Sequence, residues 1–316
     1  MAEAAAQLAR RIHSELAKVI VGQDEVIDQI LAVFLAGGHI LLEGVPGVAK
    51  TLTAKALAAL CRLDFQRIQC TPDLMPGDIL GVNVYNTATG TFAFRQGPVF
   101  TDLLLVDEIN RMPPRSQAAL LECMEEKQVT VDGVRYPLSP YFTAIATQNP
   151  VEFEGTYPLP EAQLDRFLAK IRITYPDAKE EAEILSRYQE GFDPRDLDKL
   201  NLAVLEQEAL AAARRDAASV RAEPALFGYI SEIVRRTRSS PALSLGASPR
   251  ASVALLLAAK SIASMEGRDY LIPDDVKAVA PAVLRHRLLV KPEADLEGVT
   301  PDHVVAEVIA SVEVPQ

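Results

Sequence analysis

The chain has 316 residues, of which 49% are hydrophobic and 24% charged, values that predict a globular protein of two domains with a sizeable core. Its net charge of −11 opposes binding to phosphate backbones, so nucleic acid is not expected as a general partner. No apolar run approaches the roughly 18 residues that a membrane helix needs, and the alanine-rich start lacks the basic and apolar regions of a signal peptide, so we expect a cytoplasmic protein without a membrane anchor.

Strands alternate with helices in the first half of the chain. Apolar residues at helical spacing predict a first helix through Leu8, Ile12, Leu16 and Val19. Further helices are predicted over 23–36, 50–60 and 113–126, and strands over 39–43, 65–69, 103–106, 142–148 and 169–173. This alternation implies βαβ units and a parallel sheet.

Two predicted β-hairpins interrupt the alternation. Segments 82–86 and 91–95 flank a Thr-Ala-Thr-Gly turn, and segments 129–131 and 134–136 flank Asp132-Gly133, a turn pair with a strong hairpin preference. We therefore expect two hairpins inserted into an α/β unit.

After about residue 176 the pattern becomes helical. Helices are predicted over 178–189, 203–217, 224–238, 249–265 and 273–285, and no segment there makes a convincing strand. The sequence thus predicts an α/β domain over 1–176 and a small all-α domain over 177–316.

The strongest motif lies between the first predicted strand and the helix that follows it. It reads Gly44-Val45-Pro46-Gly47-Val48-Ala49-Lys50-Thr51, which is the context of a P-loop: amides and the helix N-terminus bind phosphates, Lys50 reaches the terminal phosphates, and Thr51 holds Mg²⁺. Ala49 stands where the pattern has glycine, and if that position needs a positive φ the alanine costs about 1 kcal/mol or more.

A second motif ends the strand over 103–106. Asp107 and Glu108 follow four apolar residues, an arrangement in which Asp107 holds Mg²⁺ and Glu108 orients and deprotonates a water molecule. Ligands of open α/β sheets bind at the carboxyl ends of the strands, where both acids fall.

Three further residues have both a functional and a plain interpretation. Asn149 ends a strand and could reach the same water, although Asn-Pro after a strand is usually a turn. Arg166 could pair with a surface acid or stabilise phosphoryl charge in a neighbouring subunit. Arg250, in the first turn of a helix, could face solvent or an anionic partner.

These motifs resemble Walker A, Walker B and sensor 1 of AAA+ ATPases, and the runs 41–47, 97–100, 107–111, 147–150 and 158–167 are similar to those of the MoxR family. The resemblance covers roughly residues 22–287. It implies an arginine finger at Arg166, a sensor 2 at Arg250, and nucleotide contacts from Val21, Gly22, the loop residues 44–51 and Leu52.

The resemblance also implies a function. It predicts Mg-dependent ATP hydrolysis in a homo-oligomeric ring, a hexamer, which remodels a protein client, with von Willebrand factor A domain proteins as typical partners. Two alternatives stay open: a nucleotide-gated scaffold with little turnover, which Ala49 makes conceivable, and a nucleic-acid-dependent motor.

Other features of the sequence have less specific interpretations. Tyr188 could touch adenine or be a core aromatic residue, and Arg285-His286-Arg287 is interpreted as a solvated or interface cluster. The three cysteines are expected to be buried thiols.

Overall fold

A five-stranded parallel sheet forms the centre of the first part of the protein. The computed structural model describes residues 3–150, 155–194 and 202–315. The strands up to residue 173 are β1 (Ile40–Gly44), β2 (Phe65–Gln69), β3 (Gly81–Asn86), β4 (Thr91–Gln96), β5 (Leu103–Asp107), β6 (Gln128–Val131), β7 (Val134–Pro137), β8 (Thr143–Gln148) and β9 (Ala169–Ile173). The central sheet has the order β2-β5-β8-β1-β9, with every pair parallel. The predicted parallel sheet is confirmed.

The central strands are apolar because both of their faces are covered. Ile40 and Leu42 of β1 pack into one core cluster, whereas Leu41 between them packs into the cluster on the opposite face. Strand β5 is buried along its whole length and alternates in the same way. Continuous apolar runs of this kind are typical of parallel sheets between helical layers.

The helices of this part are α1 (Glu3–Leu16), α2 (Asp24–Leu35), α3 (Lys50–Leu60), α4 (Pro76–Leu80), α5 (Pro114–Glu126) and α6 (Glu161–Leu164). Helices α1, α2, α3 and α5 agree with the prediction to within a few residues. Helix α4 was not predicted, since five residues are too few for a periodic pattern. Its start is fixed by Pro76 and by the Asp78 carboxylate, which accepts a hydrogen bond from the Met75 amide at 2.8 Å.

Both predicted hairpins are present. Strand β3 pairs antiparallel with β4, and β6 with β7. In the second turn Asp132 and Gly133 have φ of 48° and 79°, as a tight two-residue hairpin turn requires. The hairpins contact one another, because the rings of Phe94 and Tyr136 stack at 4.2 Å.

The chain after β9 is mainly helical, as predicted for the all-α domain, which we call the lid. Its helices are α7 (Ala178–Gln189), α8 (Gln207–Ser219), α9 (Pro224–Ser239), α10 (Pro249–Met265), α11 (Pro273–Leu284), α12 (Pro292–Leu296) and α13 (Pro301–Ser311). Helix α1 packs against α8 and α10. The division into domains 1–176 and 177–316 stays our proposal, and it falls between β9 and α7. Within the described ranges, no helix is long and apolar enough to cross a membrane.

One prediction for this helical part is wrong. A short antiparallel pair, β10 (Leu243–Leu245) with β11 (Leu289–Val290), lies where no strand was expected, because strands of two or three residues leave no alternation to detect. The cluster 285–287, interpreted as solvated or at an interface, lies at an interface within the chain. It forms a 3₁₀ turn after α11, and His286 and Arg287 are buried at 6% and 7% exposure, because the turn packs onto the segment that precedes β9.

Candidate nucleotide site

The predicted P-loop runs from the carboxyl end of β1 to the start of α3. Gly44 ends β1 so close to β9 that a Cβ atom there would lie 2.7 Å from the Ile173 carbonyl oxygen. Gly47 has φ of 87°. Pro46, Gly47, Lys50 and Thr51 line a cavity at this edge of the sheet, whereas the half-buried Val45 packs against the core. The N-terminus of α3 thus lies at the cavity, as a phosphate site requires.

Ala49 adopts the left-handed conformation that glycine adopts without strain. Its φ and ψ are 61° and 16°, and it precedes the first residue of α3. The Ala49 carbonyl accepts hydrogen bonds from the amide and the hydroxyl of Thr53, at 2.9 and 3.1 Å. The departure from glycine therefore leaves the loop geometry intact and stores backbone strain of roughly 1–2 kcal/mol.

Oxygen ligands of the type that Mg²⁺ prefers lie next to the loop. The Thr51 hydroxyl lies 3.4 Å from Asp107 Oδ2, and the other carboxylate oxygen accepts from Thr147 Oγ1 at 3.0 Å. Asp107 is buried, at 7% exposure. Because hydroxyl and carboxylate oxygens suit Mg²⁺, these residues fit the ion that the sequence predicts.

Two polar residues of β2, which the sequence analysis missed, complete this edge. Arg67 contacts Asp107 Oδ2 through Nε at 2.8 Å and through Nη2 at 2.7 Å. Gln69 donates to Glu108 Oε2 at 3.3 Å. Both reach the acids because β2 pairs with β5, with Gln69 opposite Asp107. The signal in the sequence was the polar end of β2, but only the order of the strands in the sheet brings it to the acids.

Glu108 is held in a strained conformation at the end of β5. Its φ and ψ are 59° and 54°, its amide donates to Thr147 Oγ1 at 2.9 Å, and its carboxylate lies 3.3 Å from Arg111 Nε. Asn149 is buried and lines the same cavity as Glu108 and Lys50. Non-glycine residues with positive φ are costly and cluster at functional sites.

A second cavity adjoins the loop on the side of α7. Loop residues Gly47, Val48 and Ala49 line it with Leu52, and Val21 and Gln23 line it from the segment before α2. Opposite them lie Ile184, Tyr188 and Phe192. Tyr188 is 53% exposed and packs edge-on against Phe192 at 5.7 Å, so it is not a core residue. An apolar cavity with an exposed aromatic ring, directly beside a phosphate site, has the character of a base pocket.

Gly22 does not line this pocket, although its neighbours Val21 and Gln23 do. Its φ is 66°, and a Cβ atom there would overlap the Glu180 carboxylate of α7, 1.9 Å from its Oε1. A side chain at this position would displace the Glu180 carboxylate and would be strained at this φ.

Arg166 and Arg250 lie at the opposite side of the sheet from the P-loop, where β1 and β9 begin. Arg166 precedes β9, and β9 runs parallel to β1, with Ala169 opposite Ile40. The P-loop follows the other end of β1, so the length of the strand, about 13 Å for five residues, separates the two edges. Arg166 Nε lies 3.2 Å from Glu125 Oε2, and Arg250 Nη1 lies 3.0 Å from Glu125 Oε1. One carboxylate thus holds both arginines, away from the P-loop of their own chain.

This chain is similar to proteins that are already known. The family model described as "ATPase family associated with various cellular activities (AAA)" matches residues 39–169, and the model "AAA lid domain" matches residues 235–308. "Chaperone MoxR1" of Mycobacterium tuberculosis is 42% identical, covering 98% of this chain and 84% of its own. "Protein MoxR" of Methylorubrum extorquens is 34% identical, covering 94% and 93%. A solved structure of a "putative ATPase" from Cytophaga hutchinsonii superposes with a TM-score of 0.89 at 40% identity, covering 99% and 98%.

Proposed function

This chain belongs to the MoxR family of AAA+ ATPases, and on that premise we propose that it binds Mg·ATP at the carboxyl edge of its sheet and hydrolyses it. The observation that carries the proposal is the cavity shared by Lys50, Thr51, Asp107, Glu108 and Asn149. It combines a cation, oxygen ligands, an acid and an amide around one space, which is what phosphoryl transfer to water requires.

Each residue has a stated task. Lys50 and the amides of the loop bind the phosphates, and the cavity lined by Val21 and Tyr188 binds the adenine ring. Thr51 and Asp107 hold the Mg²⁺ ion, which when bound neutralises charge on the phosphate oxygens. Glu108 accepts a proton from the attacking water, and Asn149 helps to orient that water.

We assign Arg166 and Arg250 to the site of a neighbouring subunit. Their position at the opposite edge of the sheet supports this assignment, because about one strand length separates them from their own P-loop. A head-to-tail interface of this kind generates a ring when its rotation closes. We therefore propose a homo-oligomeric ring, a hexamer, in which each subunit completes the next one's site.

The proposed output is remodelling of a protein client. A relative of 42% identity is named a chaperone, which supports this reading over a nucleic-acid motor, as does the net charge of −11. Following the family resemblance, we propose a von Willebrand factor A domain protein as the client.

A steady-state assay of ATP hydrolysis tests the proposal. We expect Mg-dependent turnover that rises per subunit as the protein concentration favours assembly, and that double-stranded DNA does not stimulate. Tight ATP binding without turnover would favour the scaffold instead. Stimulation by DNA would favour the motor.

A further inference from the structure

The short segment that carries Arg166, residues 165–168, is held by the lid. Arg287 of the 3₁₀ turn after α11 donates through Nε to Asp165 Oδ1 at 2.6 Å, and its Nη2 donates to the carbonyls of Phe167 at 2.7 Å and Asp165 at 3.3 Å. Its Nη1 donates to the Leu168 carbonyl at 3.1 Å and also bonds the carbonyl of Val283. One guanidinium therefore binds the backbone on both sides of Arg166.

The chemistry of this contact is specific to arginine. The Arg287 side chain is only 3% exposed, and Asp165 is its charged partner. Burial lowers the pKa of the Arg287 guanidinium, and the hydrogen bond that the guanidinium donates to Asp165 opposes that shift. A planar fork of five donors can serve a carboxylate and several carbonyls at once, whereas a lysine ammonium on its flexible stem cannot reproduce that arrangement.

Neighbouring lid residues bind this segment and the start of β9, which follows it. His286 Nε2 lies 3.1 Å from the Phe167 carbonyl, and Arg285 donates to the Lys170 carbonyl at 3.3 Å. Ser248, the residue before α10, donates through its hydroxyl to Asp165 Oδ2 at 3.1 Å. Asp165 thus joins the 3₁₀ turn to the start of α10, whose first turn carries Arg250.

This frame fixes the spacing of the two arginines. Arg166 follows Asp165 directly, Arg250 lies two residues beyond Ser248, and Glu125 of α5 contacts both guanidinium groups. The lid therefore supplies Arg250 and, through Arg287 and Ser248, also holds the loop that carries Arg166. A shift of the lid would move both arginines together.

We propose that Arg287 is a positioning residue: through Asp165 and the backbone of residues 165–168 it ties the lid to Arg166, so that the orientation of the lid in one subunit sets how Arg166 meets the nucleotide of the next. This inference rests on the proposed trans assignment of Arg166. It gives the cluster 285–287 a task that does not involve its own subunit's nucleotide.

The test compares Arg287→Lys with Arg236→Lys. Arg236 is a half-buried lid arginine that pairs with Glu232 at 2.9 Å and donates to the Ser311 carbonyl at 2.6 Å, away from residues 165–168, so its variant controls for the loss of a guanidinium as such. A misplaced catalytic group can cost about 10²-fold in rate. For Arg287→Lys we expect a fall in kcat of roughly 10- to 100-fold, with ATP affinity by calorimetry and assembly by analytical ultracentrifugation as in the wild type. Arg236→Lys should retain the wild-type kcat.

Mixing subunits separates a positioning role from general damage. A Glu108→Gln subunit lacks its own base but keeps its finger, so mixed rings with Arg287→Lys should regain activity. Mixed rings of Arg287→Lys with Arg166→Ala should not, because no subunit then offers a well-placed finger. If Arg287→Lys instead damaged its own nucleotide site, mixing with Arg166→Ala would restore activity and mixing with Glu108→Gln would not. That result would overturn the proposal, and so would a wild-type kcat for Arg287→Lys.

Asp165→Asn provides a second variant with nearly unchanged shape. It should show the same mixing pattern, and it decides the question if Arg287→Lys does not fold. An inactive wild-type chain, or a fully active Arg166→Ala variant, would mean that the proposed function has failed. Wild-type behaviour of Arg287→Lys and Asp165→Asn, beside an inactive Arg166→Ala, would mean that only the positioning role has failed.

Discussion

Ala49→Gly tests whether the P-loop is strained at the one position where it departs from its motif. The left-handed conformation of Ala49, with φ of 61°, costs about 1–2 kcal/mol for an L-residue, and glycine removes that cost. Glycine also gains freedom in the unfolded chain, which returns about 0.4–1 kcal/mol. The half-buried methyl group contributes a few tenths of a kcal/mol at most. The balance is a stabilisation of about 0.5 kcal/mol.

A matched alanine-to-glycine control allows this small change in stability to be interpreted. Ala118 is exposed within α5, in regular helix, where glycine should destabilise by about 1 kcal/mol. The two variants should therefore differ by about 1.5 kcal/mol, with opposite signs relative to the wild type. Urea unfolding of the nucleotide-free chains, followed by circular dichroism, measures this difference through the transition midpoints. Equal destabilisation of the two variants would refute the left-handed conformation of Ala49.

Two other residues give predictions of different kinds. Lys50→Ala should weaken ATP binding, measured by calorimetry, roughly 10- to 100-fold, which is the value of a charge-assisted hydrogen bond. The control Lys55→Ala changes a lysine that is exposed on the same helix, and it should bind ATP as the wild type does. Equal affinities of the two variants would remove Lys50 from the site. His39 accepts from the Ala144 amide at 2.9 Å and donates to the Met124 carbonyl at 3.0 Å, and burial lowers its pKa to about 4. The unfolded chain then takes up the proton first, so the folding stability that neutral His39 supports is complete above about pH 6.5 and falls as the pH decreases towards 4. His39→Gln should remove this loss of folding stability, which is about 3 kcal/mol at pH 4, as measured by urea unfolding at several pH values. The control His303→Gln changes an exposed histidine and should leave the loss in place. An unchanged pH dependence in His39→Gln would contradict the assignment.

Local patterns were enough to predict the elements that carry the site. The P-loop needs only a strand, a turn and a helix that are contiguous in the chain, and the acids of β5 directly follow their apolar strand. The two hairpins were predicted for the same reason, since turn pairs such as Asp132-Gly133 act over a few residues.

Contacts between distant segments could not be predicted in this way. Arg67 and Gln69 reach the acids only because β2 lies beside β5 in the sheet. Arg287 and Asp165 are far apart in the sequence, so no local pattern predicts their ion pair. A run of three basic residues also normally indicates a solvated surface. The sequence also left open on which subunit Arg250 acts, and its action on the neighbour stays our proposal.

The central claim is that each subunit completes its neighbour's site, and one mixing experiment tests it directly. Arg166→Ala should bind ATP but lose up to about 10³–10⁵-fold in turnover, and Glu108→Gln should lose roughly 10²–10⁴-fold for lack of its base. When the two variants share a ring, a Glu108→Gln subunit lends Arg166 to the intact site of its neighbour. ATP turnover at intermediate mixing ratios should therefore rise above that of both parents, whereas no recovery at any ratio, in rings shown by mass spectrometry to contain both variants, would contradict the account.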